Sequence, residues 1–348
     1  MNKNQNNIDK TTGASAKKPV PPKKKHRRIR IKPTVGGMLS LLLLIVIVAA
    51  VVTAIVFGVK GIIRFVNEAK DTTTASTGDP DKPTVDPWDK DYIVTKHANS
   101  NLTVGDLILV NTNNPYTQKL DSTTDVRALS GYEGYNTYYV LRDYNIKVRP
   151  NIIQTLKDMI VALVDANTAT LGTTLGESDQ IFIADAFTAL TEGSGTSEHH
   201  TGLAVNLKVF SKQTPISLRD SEYQWLKTHC AEYGFVIRYD SNKAELTGVL
   251  DEPNHLRYVG VPHATYMSEH QLCLEEYLEL LRTSYKYEDG PLEITAGEKE
   301  YLVYYVEKNS AEGETFTSIP VPPSAKGSYS ISGDNMNGFI VTVEKAAK

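Results

Sequence analysis

The 348-residue sequence is poor in cysteine: Cys230 and Cys273 are its only two, 43 positions apart. Two thiols exclude a disulfide-dense scaffold, and neither has a Cys or His partner at finger-type spacing. They read either as one disulfide or as two buried free thiols. Internal repeats are also missing, which excludes a repeat architecture. Acid is nearly absent from the start, where residues 1–34 hold eleven Lys or Arg against the single acid Asp9. The whole chain has 37 basic and 41 acidic residues, so the remainder holds 26 and 40. Its charge is −14 beside a head of +10, which suits one end meeting anionic lipid while the rest stays soluble elsewhere.

Charge disappears altogether from Met38 to Phe57, twenty residues reading MLSLLLLIVIVAAVVTAIVF. At ~1.5 Å per residue this run spans a ~30 Å hydrocarbon core. It is too long for the apolar part of a signal peptide. Ile55, Phe57, Val59 and Ile62 crowd the place where a small-residue cleavage site would stand. Eight basic residues precede the span within twenty positions, and only Lys60, Arg64 and Lys70 follow closely. The positive-inside rule then keeps the N-terminus cytoplasmic and exports the rest, as a single-pass cell-membrane protein. The KKKHRR run beside such a span is a topology signal, so no nucleic-acid partner is expected.

This predicts a basic cytoplasmic tail over 1–34, a transmembrane anchor over 35–64 and a disordered stalk over 65–100. A folded domain follows over 101–285, then a small β extension over 286–348. The stalk is assigned because KDTTTASTGDPDKPTVDP is too polar to build a core. Alternation predicts strands at Leu102–Val110, Tyr138–Val140 and Gly202–Phe210, and short apolar runs predict them at Ile181–Ala184 and Phe235–Tyr239. A helix after Pro150 presents Ile152, Ile153, Leu156, Met159, Ile160 and Leu163 on one face. Ser221 with Gln224 three residues on predicts a helix start, and Gly234 its end. A further helix is predicted over about Ala264–Thr283. Runs such as YLVYYVEK and GFIVTVEK, broken by Gly, Pro and Asn, predict the β tail.

Two clusters carry chemistry: SEHHTGLAVN (197–206) and EPNH (252–255). A hydrolytic metal site needs three protein ligands, an open position for water, and a base that is not itself bound. His199 and His255 each offer an imidazole nitrogen. Glu252, three residues before His255 and set by Pro253, is the free carboxylate. Leu203, Val205, Leu207 and Val209 form an aliphatic strand face that belongs in the core, so Asn206 on the opposite face looks into the site.

The pattern resembles the VanY-type zinc D,D-carboxypeptidases, where it reads S-x-H-x-x-G-x-A-x-D followed by E-P-W-H. The likeness covers roughly residues 102–284, including Val148–Pro150, Ser197–Leu207, Tyr233–Tyr239, Glu252–Gly260 and the stretch 262–277. It implies an α+β fold, a small antiparallel sheet flanked by helices. It also implies Zn²⁺ held by His199, the side chain at 206 and His255, with Glu252 as general base. The substrate implied is a peptidoglycan stem peptide ending in D-Ala-D-Ala. Ser197, His200, Asn254 and Arg257 would touch substrate or stand behind the ligands.

Three positions depart from the family. Asn206 replaces the ligand Asp and brings no negative charge. Asn254 replaces Trp. ADAFTAL (184–190) places Phe187 or Thr188 where the family has an Arg that stabilises the oxyanion, a loss that typically costs ~10²–10³ in rate. Two functions therefore follow: a zinc carboxypeptidase, or a non-catalytic relative that binds wall peptide or scaffolds wall remodelling. The β tail has no His and no Cys, and would serve at most as a binding module.

Overall fold

A computed structural model of the chain describes residues 92–171, 179–191, 194–211, 214–216, 224–325 and 328–346. The basic tail, the apolar run and Ser221 of the expected helix start lie outside them, as does most of the stalk. No helix among the described residues is long and apolar enough to cross a membrane.

Order begins earlier than the polar composition implied. Strand β1 (Ile93–Ala98) lies inside the expected stalk and pairs antiparallel with Phe316–Val321, over two hundred positions away. Such a partner is invisible to local composition. Leu107–Val110 is buried throughout but forms no strand, because its backbone serves other groups. The carbonyls of Asp106 and Ile108 accept from Arg257, and the Leu109 N–H donates to the Asp334 carbonyl. Short pairings follow: β2 (Arg127–Ala128) with β4 (Lys147–Val148), while β3 (Val140–Leu141) joins the main sheet.

Helix α1 (Pro150–Leu171) starts on Pro150, whose fixed φ and missing N–H suit a first helical position. Its six apolar residues at three- and four-residue steps are all buried. They pack on a sheet ordered β3-β5-β6-β9-β8, with β5 (Asp179–Asp185), β6 (Ala204–Ser211), β8 (Phe235–Tyr239) and β9 (Glu252–Tyr258). A further strand, β7 (Thr214–Ile216), pairs with β6. The sheet is antiparallel except for β3 beside β5, a departure from the all-antiparallel expectation. Leu203, Val205, Leu207 and Val209 face α1 as their alternation requires. Each such side chain contributes ~1.5–3 kcal/mol by burial. This packing leaves the opposite face of β6 and β9 free for polar work.

Helix α2 (Gln224–His229) passes through a 3₁₀ turn to Gly234, whose φ of 80° ends it as expected. The single helix expected over 264–283 is two, α4 (Val261–Glu269) and α5 (Leu274–Ser284), after the one-turn α3 (Ala244–Thr247). The break falls at Gln271, at φ 53°, and Cys273 then starts α5 in a capping box with Glu276.

The C-terminal residues are all-β, as their punctuation implied. Strands β10 (Leu292–Ala296), β11 (Lys299–Glu307), β13 (Tyr329–Gly333) and β14 (Gly338–Glu344) form one antiparallel sheet ordered β10-β11-β14-β13. β12 is the partner of β1 already described, Phe316–Val321. This sheet is not a separate appendage, because the described residues fall in one compact unit. The Leu107 N–H donates to Ser332 Oγ, and the Asn335 amide donates to the carbonyls of Leu109 and Asn114.

His263 pins the two parts together. Its Nδ1 lies 2.8 Å from Tyr277 Oη on α5, and its Nε2 lies 3.0 Å from Thr342 Oγ1 on β14. Burial pushes this imidazole down to about 3 from its usual 6.5. The unfolded chain therefore takes up this proton first, and stability falls as pH drops from 6.5 toward 3. At pH 4 the loss from this residue is ~3 kcal/mol. Urea unfolding of His263→Asn, compared with wild type from pH 7 to pH 4, should show a flatter decline in the variant. Parallel curves would remove His263 as the cause.

Candidate metal site and peptidase centre

The site is built where a tight turn enters β6. Ser197 Oγ accepts from the His199 N–H at 3.3 Å and starts the 3₁₀ turn Glu198–Thr201. Gly202, at φ 70°, leaves the turn, and a Cβ there would meet Val126 Cγ1 at 3.0 Å and Arg149 at 3.1 Å. Arg149 Nε donates to the Thr201 carbonyl at 2.7 Å and holds the turn from beneath. His199 thereby sits over the start of β6, and Asn206 follows two residues into the strand.

β9 runs antiparallel beside β6 with Asn206 and His255 as direct partners. The rings of His199 and His255 lie 5.0 Å apart, centre to centre. Glu252 opens β9, its side chain 47% exposed, with Oε2 3.8 Å from His255 Nδ1. The three proposed ligands and the proposed base therefore converge. Asn254 lies half-buried between the last two, where its side chain builds no aromatic wall.

Among the described residues, His199 Nδ1, Asn206 Oδ1 and His255 Nε2 are buried at this place without a hydrogen-bond partner, as are Glu198 Oε2 and Arg257 Nη1 behind them. Leaving such atoms unpaired costs ~1–3 kcal/mol each, so their convergence marks a place for a ligand. Burial and the adjacent His255 hold His199 below its usual value of 6.5, against the pull of Asp185 and Glu198. A neutral imidazole is the form that binds a cation. The donor set fits a zinc ion in type and position, with an amide in place of one carboxylate.

Behind the site lies a charge cluster that the motif spacing did not reveal. Glu198 is fully buried. Its Oε1 accepts from Arg238 Nε at 2.9 Å and lies 3.0 Å from Arg257 Nη1. Its Oε2 faces His255 Nε2 at 3.4 Å. Burial by itself would raise this carboxyl, but Arg238, Arg257 and His255 hold it well below the usual carboxylate range. Arg238 also grips Glu275 on α5 through two bonds of 3.0 and 2.7 Å. Glu198 thus sets a negative charge beside the His255 nitrogen that faces away from Glu252, without a hydrogen bond between the two atoms. Tyr239, the partner of Glu252 across β8 and β9, packs its ring 4.9 Å from that of His255.

One expectation changes. Arg257 is wholly buried and touches Glu198 and backbone carbonyls, so it cannot meet substrate. Arg238 and Arg257 instead brace the sheet through ion pairs with Glu198. His200 is buried, its Nδ1 2.8 Å from the Thr188 carbonyl. The 3₁₀ turn carries it inward, behind the ligands, which is one of the two places expected of it. Cys230 and Cys273 are both free and buried. They line one cavity of about 300 Å³ beside Arg238, and burial pushes both thiols up to about 12. Neither reaches the histidines.

The fold is mixed α+β, small sheets with flanking helices. Residues 176–261 match the family model described as VanY: D-alanyl-D-alanine carboxypeptidase. A D-alanyl-D-alanine carboxypeptidase of Enterococcus faecium is 32% identical over 245 residues, 69% of this chain and 75% of that protein. The vancomycin resistance D,D-dipeptidase VanXYg, solved with a D-Ala-D-Ala phosphinate analogue, aligns with a TM-score of 0.53 at 26% identity. That alignment covers 73% of this chain and 99% of the other. A vancomycin resistance VanY solved in complex with Zn(II) is 27% identical over 50% of this chain and 98% of its own, with a TM-score of 0.35. The chain belongs to the VanY D-alanyl-D-alanine carboxypeptidase family.

Proposed function

We propose that this protein is a zinc D,D-carboxypeptidase that removes the terminal D-alanine from peptidoglycan stem peptides. It works outside the cell membrane, held there by the N-terminal apolar run and facing outward on the charge asymmetry of its flanks. The observation that carries the reading is the exposed Glu252 carboxylate beside the His199 and His255 rings and the Asn206 amide, with His199 Nδ1 and Asn206 Oδ1 buried and unpartnered.

His199, Asn206 and His255 would hold the ion, and Zn²⁺ when bound supplies Lewis acidity toward a carbonyl and a water. Glu252 takes the proton from the attacking water at its carboxylate and returns it to the departing D-alanine amine. His255 turns Nδ1 toward Glu252, with Glu198 on the side of its other nitrogen. Burial holds His199 below its usual value and so favours the neutral form that binds a cation.

Asn206→Asp is expected to tighten zinc binding by more than the ~10–100-fold that partners behind the ligands are worth. The test measures zinc per full-length chain in detergent and D-alanine release from a D-Ala-D-Ala peptide, for wild type and this variant. Zinc-loaded, active wild type supports the reading. A wild type that binds peptide but neither zinc nor releases D-alanine would replace the enzyme with a docking cleft.

A further inference from the structure

We infer that Asp185 supplies, from the neighbouring strand, the carboxylate charge that Asn206 withholds from the metal centre; this rests on the zinc reading above. The inner set of two imidazoles and an amide carries no negative charge of its own. The nearby carboxylates are otherwise engaged. Glu198 is committed to two buried arginines, and Glu252 must stay free to move a proton.

Asp185 reaches the site through a change of register. β5 and β6 pair Ile181 with Val209, Phe182 with Lys208 and Ile183 with Leu207, after which Asp185 pairs with Asn206. Two steps on β5 match one on β6, so Ala184 is the extra residue of a β-bulge. Without it, Ala184 would oppose Asn206, and Asp185 would oppose Val205 on the core face. Burial records the same shift. Ile183 and Ala186, three apart rather than two, both lie in the core, and Asp185 between them is half-exposed. Direct cross-strand partners hold their Cβ atoms ~4.5–5.5 Å apart, close enough for a charge to act on the ligand opposite.

The side chain is not spent elsewhere. Its Oδ1 accepts from the Ala186 N–H at 3.0 Å, and its Oδ2 stands 4.0 Å from Arg142 Nη2 in a pair 61% and 41% exposed. Exposed pairs of this kind are worth ~0–1 kcal/mol. Among the described residues, no three His, Cys, Asp or Glu side chains form a metal-holding group. Asp185 therefore acts as a charge beside the ligands and not as one of them.

The test is zinc affinity of the full-length protein, by competition with a chromogenic chelator, together with Co²⁺ absorption. Asp185→Asn should weaken zinc ~10–100-fold, leaving the melting temperature of the metal-free protein unchanged. Arg142→Ala should not weaken it, which separates charge supply from a mere structural pair. Asn206→Asp placed on Asp185→Asn should restore affinity. Should Asp185→Asn unfold the protein, Asp185→Glu against Asp185→Gln makes the same comparison at constant charge or without it. Equal zinc affinity in wild type and the uncharged variant overturns the role of Asp185 alone. A wild type with no zinc affinity overturns both this and the peptidase reading.

Discussion

Glu252→Gln is expected to lower the rate of D-alanine release by ~10²–10⁴-fold, the usual worth of a positioned general base. Gln keeps the shape and a hydrogen-bonding oxygen but cannot accept the proton of the attacking water. The fold should not notice. Glu252 is 47% exposed, and its nearest charged-capable partner, His255 Nδ1, is 3.8 Å away. Exposed pairs contribute ~0–1 kcal/mol, so the melting temperature should stay near that of wild type. Zinc content should stay as well, since Glu252 is not among the proposed ligands. Steady-state release of D-alanine, read beside metal content, checks all three points. A variant that keeps its rate within tenfold of wild type would move the base to another residue.

The second large effect is on stability. Glu198→Gln removes the carboxylate that pairs with both Arg238 and Arg257, leaving Arg238 its pair with Glu275 but no such pair for Arg257 among the described residues. All of Arg238, Arg257 and Glu198 are essentially shielded from water. Breaking such a buried network from one side typically costs ~3–5 kcal/mol, because a guanidinium is left without its counter-charge. Against a total stability of ~5–15 kcal/mol, that is a large fraction. The same change loosens His255, whose Nε2 faces Glu198 Oε2, so zinc affinity should fall together with stability. Urea denaturation gives the first quantity and chelator competition the second. If Glu198→Gln unfolds at the same urea concentration as wild type, the cluster is not holding the turn to the sheet.

The comparison of these two acids shows what was legible in advance. Glu252 announces itself, standing three residues before His255 in a recognisable pattern. Glu198 stands beside His199 and yet gives no local sign of its role. Its partners Arg238 and Arg257 are 40 and 59 positions away, and only the closing of β8 and β9 onto β6 brings them to it. The side that His200 takes was left open for a related reason. Alternation assigns sides in extended chain, while the turn Glu198–Thr201 has about three residues per turn and assigns them otherwise. Asp185 was hidden by a single extra residue, since one step of register exchanges the two faces of a strand.

The sequence by itself determined the apolar face of α1, the core side of β6, the pairing of chemistry between Ser197–Asn206 and Glu252–His255, and the all-β tail. These rest on short-range periodicity and spacing, which the backbone geometry of helices and strands imposes residue by residue. Only the tertiary structure decided that β1 belongs to the folded body, that the β tail is pinned through His263, and that Arg257 is out of reach of substrate. It also decided that a bulge faces Asp185 toward Asn206. Each of these is set by register and burial between distant segments, and a long-range pairing has no period in the sequence from which it can be read.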